Sequence, residues 1–182
     1  MKLGLYGGTF DPIHNGHTHV ITELLNRQIV DRVLVVPAGE PRLRENAPIA
    51  TGAQRRTMCQ LAINDLAPAI RSKVEVNPIE ILRMGPSYTI DTVEAVAQTY
   101  PDDEIVLIVG TDAYAKIDHW HRVDELLKLV TLEVIERPGS AGDSARDIDA
   151  IDVSATQVRL HQSDQLSPSV ANYIKENNLY VS

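Results

Sequence analysis

Short apolar runs alternate with stretches of helical periodicity along the whole chain. Leu3-Gly4-Leu5-Tyr6, Asp31-Arg32-Val33-Leu34-Val35-Val36, Lys73 to Ile79, Glu104-Ile105-Val106-Leu107-Ile108-Val109 and Thr131 to Ile135 are such runs, each with the length and apolar character of a buried strand. Ile151-Asp152-Val153 predicts a sixth, shorter strand. Between the runs, apolar residues recur three or four apart: Val20, Ile21, Leu24 and Leu25; Met58, Leu61, Ala62 and Leu66; Ile90, Val93, Val96 and Ala97. That spacing is one face of an α-helix. Thr51-Gly52-Ala53-Gln54 and Ser154-Ala155-Thr156-Gln157 have capping-box form, and Ser167-Pro168 is expected to cap the last helix, with proline in its favoured first place. Regular alternation of strand and helix predicts an α/β fold, a doubly wound, mostly parallel sheet with helices on both faces. Ligands of such sheets bind beyond the carboxyl ends of the strands. No repeat, low-complexity tract or linker interrupts the pattern, so residues 1–182 are expected to form a single domain.

Composition narrows the class without selecting an activity. With 43% hydrophobic and 23% charged residues, the chain is of ordinary soluble globular type. No apolar run approaches the roughly 18 residues of a membrane helix, and Met1-Lys2-Leu3-Gly4 leads straight into the first strand, so no signal peptide is expected. The single cysteine, Cys59, allows no internal disulfide and fits a reducing, cytoplasmic setting. A formal charge of −8 argues against a general nucleic-acid surface, which would be basic. Anionic nucleotides would have to be held by a few local cations. Neither a nucleic acid nor a membrane is expected as a partner; a homo-oligomer is left open.

Candidate chemistry concentrates in Gly7-Gly8-Thr9-Phe10-Asp11-Pro12-Ile13-His14-Asn15-Gly16-His17. The stretch joins the first strand to the first helix, where free backbone N–H groups and the positive helix end attract anions. Adjacent glycines let a ligand approach the backbone closely. His14 and His17, three apart, share one helix face and can point at the same phosphate. Each piece has a plainer reading: Asp11-Pro12 as an ordinary turn, and the histidines as metal ligands or surface residues. The whole string, however, resembles the H-x-G-H signature of the nucleotidyltransferase superfamily. Its form is that of adenylyltransferases acting on small nucleotides or phosphopantetheine, which implies a Rossmann-like sheet and an ATP site at Gly7, Gly8, Thr9, Phe10, His14 and His17.

Ser154, Thr156 and Arg159 form a second candidate. Read alone, the segment is a helix cap with its arginine in solvent. Two hydroxyls at a helix start with an arginine one turn on also make a phosphate cradle. The segment resembles the I-S-S/A-T-x-I/V-R motif of the same superfamily, which implies that these three residues hold the outer phosphates. Gly85-Pro86-Ser87-Tyr88-Thr89-Ile90-Asp91-Thr92 looks like the G-P-S-Y-T-x-x-T segment of bacterial nicotinate-nucleotide adenylyltransferases. That resemblance implies an acceptor site at Ser87, Tyr88 and Thr89, with Gly110 and Asp112 beside the adenosine of ATP. Trp120 is a core residue or a platform for the acceptor ring, and the resemblance favours the platform. His119 and His121 read as surface residues. Arg137-Pro138-Gly139 also matches a family segment, with its arginine near the nucleotide. The loop after the second strand departs from the family's P-x-x-x-P-P-H-K: Arg42 and Arg44 are the cations here, and arginine places its charge differently from lysine.

The resemblance implies attack of a mononucleotide phosphate on the α-phosphorus of ATP, with release of pyrophosphate. A phosphate dianion needs no general base, so catalysis would be alignment and charge stabilisation by His14, His17 and Arg159. Mg²⁺, held mainly by the phosphates, is the implied cofactor, and no cluster of protein metal ligands is expected. Nicotinate mononucleotide is the first expectation for the acceptor. Nicotinamide mononucleotide, phosphopantetheine, or a non-catalytic nucleotide sensor are the alternatives.

Overall fold

The computed structural model describes residues 1–39, 47–136 and 145–181. Its strands are β1 (Lys2–Gly8), β2 (Arg32–Pro37), β3 (Val74–Val76), β4 (Glu104–Gly110) and β5 (Thr131–Ile135). The helices are α1 (Asn15–Asn26), α2 (Gly52–Asn64), α3 (Pro68–Arg71), α4 (Ile79–Leu82), α5 (Thr89–Thr99), α6 (Thr111–Tyr114), α7 (Val123–Leu129), α8 (Ala155–Arg159) and α9 (Pro168–Glu176), with a 3₁₀ turn at Ile117–His119. The strands lie in the order β3-β2-β1-β4-β5, and every neighbouring pair is parallel.

Both faces of the sheet are buried, which is why the strands are nearly continuous apolar runs. Leu3, Leu5, Leu34, Val36, Ile105, Leu107 and Val109 pack on one side against Ile90, Val93 and Val96 of α5 and Leu126 of α7. Tyr6, Val33, Val35, Val106 and Ile108 point to the other side, against Val20, Ile21 and Leu24 of α1, Met58 and Ala62 of α2, and Val170 of α9. From β1 the chain winds outward to β2 and β3, then returns to lay β4 on the other side of β1. The connections leaving β1 and β4 therefore diverge, and a crevice opens at their carboxyl ends. Among the described residues no helix is long and apolar enough to cross a membrane.

Three expectations are corrected. Ile151-Asp152-Val153 is not a strand: the Val153 N–H turns back to the Ile151 carbonyl at 2.9 Å. The outer edge of β5 is instead met by a single bridge from Arg146 to Ile135. The strand region from Lys73 to Ile79 is shortened to Val74–Val76. Pro78 has no N–H to donate, and the Asn77 side chain accepts from Ile79 N–H at 3.0 Å, turning the chain into α4. Finally, Ser167 stands at the N-cap of α9 without a capping bond. Asp65, at the end of α2, fills that place by accepting from the Ser169 N–H at 3.0 Å and its hydroxyl at 2.7 Å.

Candidate active site

A cleft of about 610 Å³ lies over the ends of β1, β2 and β4, within the usual range of roughly 300–1,000 Å³ for small-molecule sites. Its walls include Gly7, Gly8, Thr9, Phe10, His14 and His17 from the first segment, and Ser154 and Thr156 from the second. Ser87, Tyr88, Thr89, Gly110, Asp112 and Trp120 also line it, together with His119 and His121. Residues from five separate places in the sequence thus meet. Arg159 is not part of the wall. Arg42, Arg44 and Arg137 lie outside the described residues.

The two histidines are fixed by the helix they start. His14 occupies the N-cap of α1 with extended backbone, and its N–H donates to His17 Nδ1 at 3.2 Å. An accepting Nδ1 leaves the proton of a neutral imidazole on Nε2, as a donor. The rings stack with centroids 3.7 Å apart and planes 27° from parallel. Phe10, held at φ 50°, closes on His17 edge-on at 5.0 Å. Glycines divide the work. A Cβ on Gly16 would come within 2.8 Å of Val153 and 3.1 Å of the His14 ring, and one on Gly8 within 2.9 Å of the Phe10 ring. A Cβ on Gly7 would meet nothing within 4 Å, so the protein leaves that space to the cleft.

Ser154 caps α8 reciprocally with Gln157: its Oγ accepts from the Gln157 N–H at 3.2 Å, and Gln157 Oε1 accepts from the Ser154 N–H at 2.7 Å. Arg159 donates to the Thr156 hydroxyl at 3.0 Å and to the Asp11 carbonyl at 2.5 Å. The guanidinium therefore ties the second segment to the first and keeps further N–H groups in hand.

Beneath the first segment lie supports that a reading of motifs passes over. Asp11 is only 3% exposed and accepts from Ile49 N–H, Ala50 N–H and the Tyr180 hydroxyl at 2.9, 3.0 and 2.7 Å. Burial, and then the bond to Asp11, push the Tyr180 phenol well above its ordinary range. Arg55, 2% exposed, donates to the carbonyls of Thr9 at 2.7 Å, Gly39 at 3.2 Å and Ala50 at 3.3 Å. The one sequence signal for Arg55 was a cation three residues before Met58, on the apolar face of α2.

At the other end, Tyr88 stacks on His121 with centroids 4.3 Å apart. Both histidines beside Trp120 are exposed, as expected, and both also face the cleft. Trp120 is partly core and partly cleft wall. It is half-buried against the α5–α7 core, and the rest of it lines the cleft. Among the described residues no group of three or more His, Cys, Asp or Glu converges as a metal site.

Comparison with known proteins matches this architecture. A family model described as Cytidylyltransferase-like matches residues 5–161, which defines the class as a nucleotidyltransferase. The chain is 34% identical to the nicotinate-nucleotide adenylyltransferase of Bacillus subtilis, over 100% of this chain and 99% of that one. It is 36% identical to a "Probable nicotinate-nucleotide adenylyltransferase" of Bacillus pumilus with the same coverage. It belongs to the nicotinate-nucleotide adenylyltransferase family. The fold resembles that of Plasmodium falciparum nicotinic acid mononucleotide adenylyltransferase complexed with NaAD, with a TM-score of 0.81 at 21% identity over 98% of this chain and 97% of that one.

Proposed function

We propose that this chain transfers the adenylyl group of ATP to nicotinate mononucleotide, forming deamido-NAD and pyrophosphate in NAD biosynthesis. The observation that carries this reading is the meeting, in one cleft, of two phosphate-type helix starts with the Ser87-Tyr88-Thr89 and Trp120 wall. The acceptor phosphate attacks the α-phosphorus, a new P–O bond forms, and the bond to the bridging β-oxygen breaks with its electron pair leaving on pyrophosphate. His14 and His17 donate to oxygens whose charge grows in that step. Thr156 holds the outer phosphates, Arg159 adds its positive charge from behind Thr156, and the Ser154 hydroxyl retains its proton as a donor while capping α8. Gly110 and Asp112 flank the adenosine. The acceptor ring lies on Trp120, against the start of α5.

Mg²⁺ would be held chiefly by phosphate oxygens and water, with Asp112 and Glu80 the acidic side chains of the wall, and when bound it would neutralise charge on the triphosphate. We place the reaction in the cytoplasm, in keeping with the free, buried Cys59.

Purified protein with ATP and Mg²⁺ is offered nicotinate mononucleotide, nicotinamide mononucleotide or phosphopantetheine, and pyrophosphate is measured. Release fastest with nicotinate mononucleotide is expected. Turnover with phosphopantetheine alone, or with none of the three, overturns the proposal.

A further inference from the structure

Side chains at the acceptor end are tied together by contacts outside both phosphate segments. Thr92, 2% exposed in α5, donates its hydroxyl to Glu80 Oε1 at 2.9 Å and accepts from Arg83 Nη1 at 3.1 Å. The same Arg83 nitrogen reaches the Ser87 hydroxyl at 2.5 Å, closing the base of the exposed Met84-Gly85-Pro86 tip. The Gly39 backbone N–H and the Ser87 hydroxyl also favour the charged form of the Glu80 carboxylate. The backbones meet as closely: a Cβ on Gly39 would overlap the Glu80 carbonyl oxygen. One network thus spans the end of β2, α4, the Gly85 loop and the start of α5, and Glu80, Ser87 and Thr92 all face the cleft.

The geometry points to Glu80 as the positioning residue of the acceptor wall, with Arg83 as its counter-charge and Thr92 as the hydroxyl between them. Glu80 sets the separation between the end of β2 and the Ser87-Tyr88-Thr89 backbone. It lies among the residues of the acceptor wall, outside both phosphate segments, so its influence should fall on the acceptor. Burial holds the Glu80 carboxyl above its ordinary range against the opposing hydrogen bonds. A carboxyl shifted in that direction adds most stability below its unfolded value and loses that contribution as pH rises through the folded one. Its charge is therefore a cost to the neutral-pH fold. Glu80→Gln should leave the melting temperature unchanged or higher. A residue present only for stability would behave in the opposite way.

This inference rests on the acceptor reading above, and the experiment separates the two. Steady-state kinetics of Glu80→Gln and Thr92→Val should show the KM for nicotinate mononucleotide raised ~10–100-fold, the scale of a lost charge-assisted hydrogen bond. The KM for ATP should stay near wild type and kcat should change less than the acceptor KM. Thr92→Ser keeps the hydroxyl and should bring the acceptor KM back toward wild type. Hydrogen exchange on the unliganded proteins gives a second readout that needs no substrate. Amides of Gly39, Gly85, Ser87, Tyr88 and Thr89 should exchange faster in Glu80→Gln and Thr92→Val, with the strands unaffected. If wild type turns over no pyridine mononucleotide, the proposed function fails, and the exchange pattern alone then decides the positioning role. Unchanged exchange at those amides, an unchanged acceptor KM in an active enzyme, or an equal rise in both KM values would overturn it.

Discussion

At the end of the cleft proposed for the phosphates, Arg55, Asp11 and Arg159 direct most of their hydrogen bonds to main-chain carbonyls and N–H groups. At the acceptor end the contacts run from side chain to side chain: Glu80 with Thr92, Arg83 with Ser87, Tyr88 with His121. Backbone atoms pinned by buried side chains cannot relax by changing rotamer, so the first arrangement suits a group that is the same in every nucleotide. The second can be retuned by substitution without disturbing a strand, as suits the part of a substrate that varies. The difference predicts that changes at the phosphate end act on kcat and on folding, and changes at the acceptor end on one KM.

The largest effect tests the phosphate end directly. His17→Ala should lower kcat by roughly two to four orders of magnitude while ATP still binds, because it removes a preorganised donor to developing charge. Rapid-quench kinetics beside calorimetric ATP binding measures both, and an equal loss in binding would make His17 a ground-state contact. Next in size is Arg55→Met, which leaves three carbonyls without their donor. Urea unfolding should show about 2–5 kcal/mol lost. A stable variant with normal kcat would mean that the turn stands without its support.

Trp120→Ala should raise the acceptor KM by a factor equivalent to about 1–3 kcal/mol and leave the KM for ATP alone. Because Trp120 also packs on the α5–α7 core, a modest fall in melting temperature should accompany it. A large fall with unchanged acceptor KM would assign the side chain to packing alone. Smallest is Tyr180→Phe, worth about 1–2 kcal/mol as a lost bond to a carboxylate. Here pH adds a signature. The native phenol keeps its proton at a pH where the unfolded chain releases it, so the Tyr180 contribution declines as pH rises above about 10. Tyr180→Phe should flatten the alkaline fall in stability relative to wild type, and parallel curves would remove Tyr180 from that account.

Much of the site was legible before folding because its chemistry is local. His14 with His17, and Ser154 with Gln157, are partners at i and i+3 on helix starts, a spacing that sequence displays directly. Uninterrupted apolar runs sufficed for a sheet buried on both faces, and alternating helical patterns for its parallel strands. A three-residue run such as Ile151-Asp152-Val153 was too short for the pattern to be decisive; only the turn at Val153 settled it. Asp11 could be read as a turn residue, but not as the acceptor for Tyr180, 169 positions away. Nor does spacing reveal that Arg55 reaches back to Thr9, or that Glu80 stands between Gly39 and Thr92. Such contacts depend on how helices cross the sheet and on which turn comes to lie over which strand end. A periodic pattern says which face of an element is buried; it does not say what that face will meet.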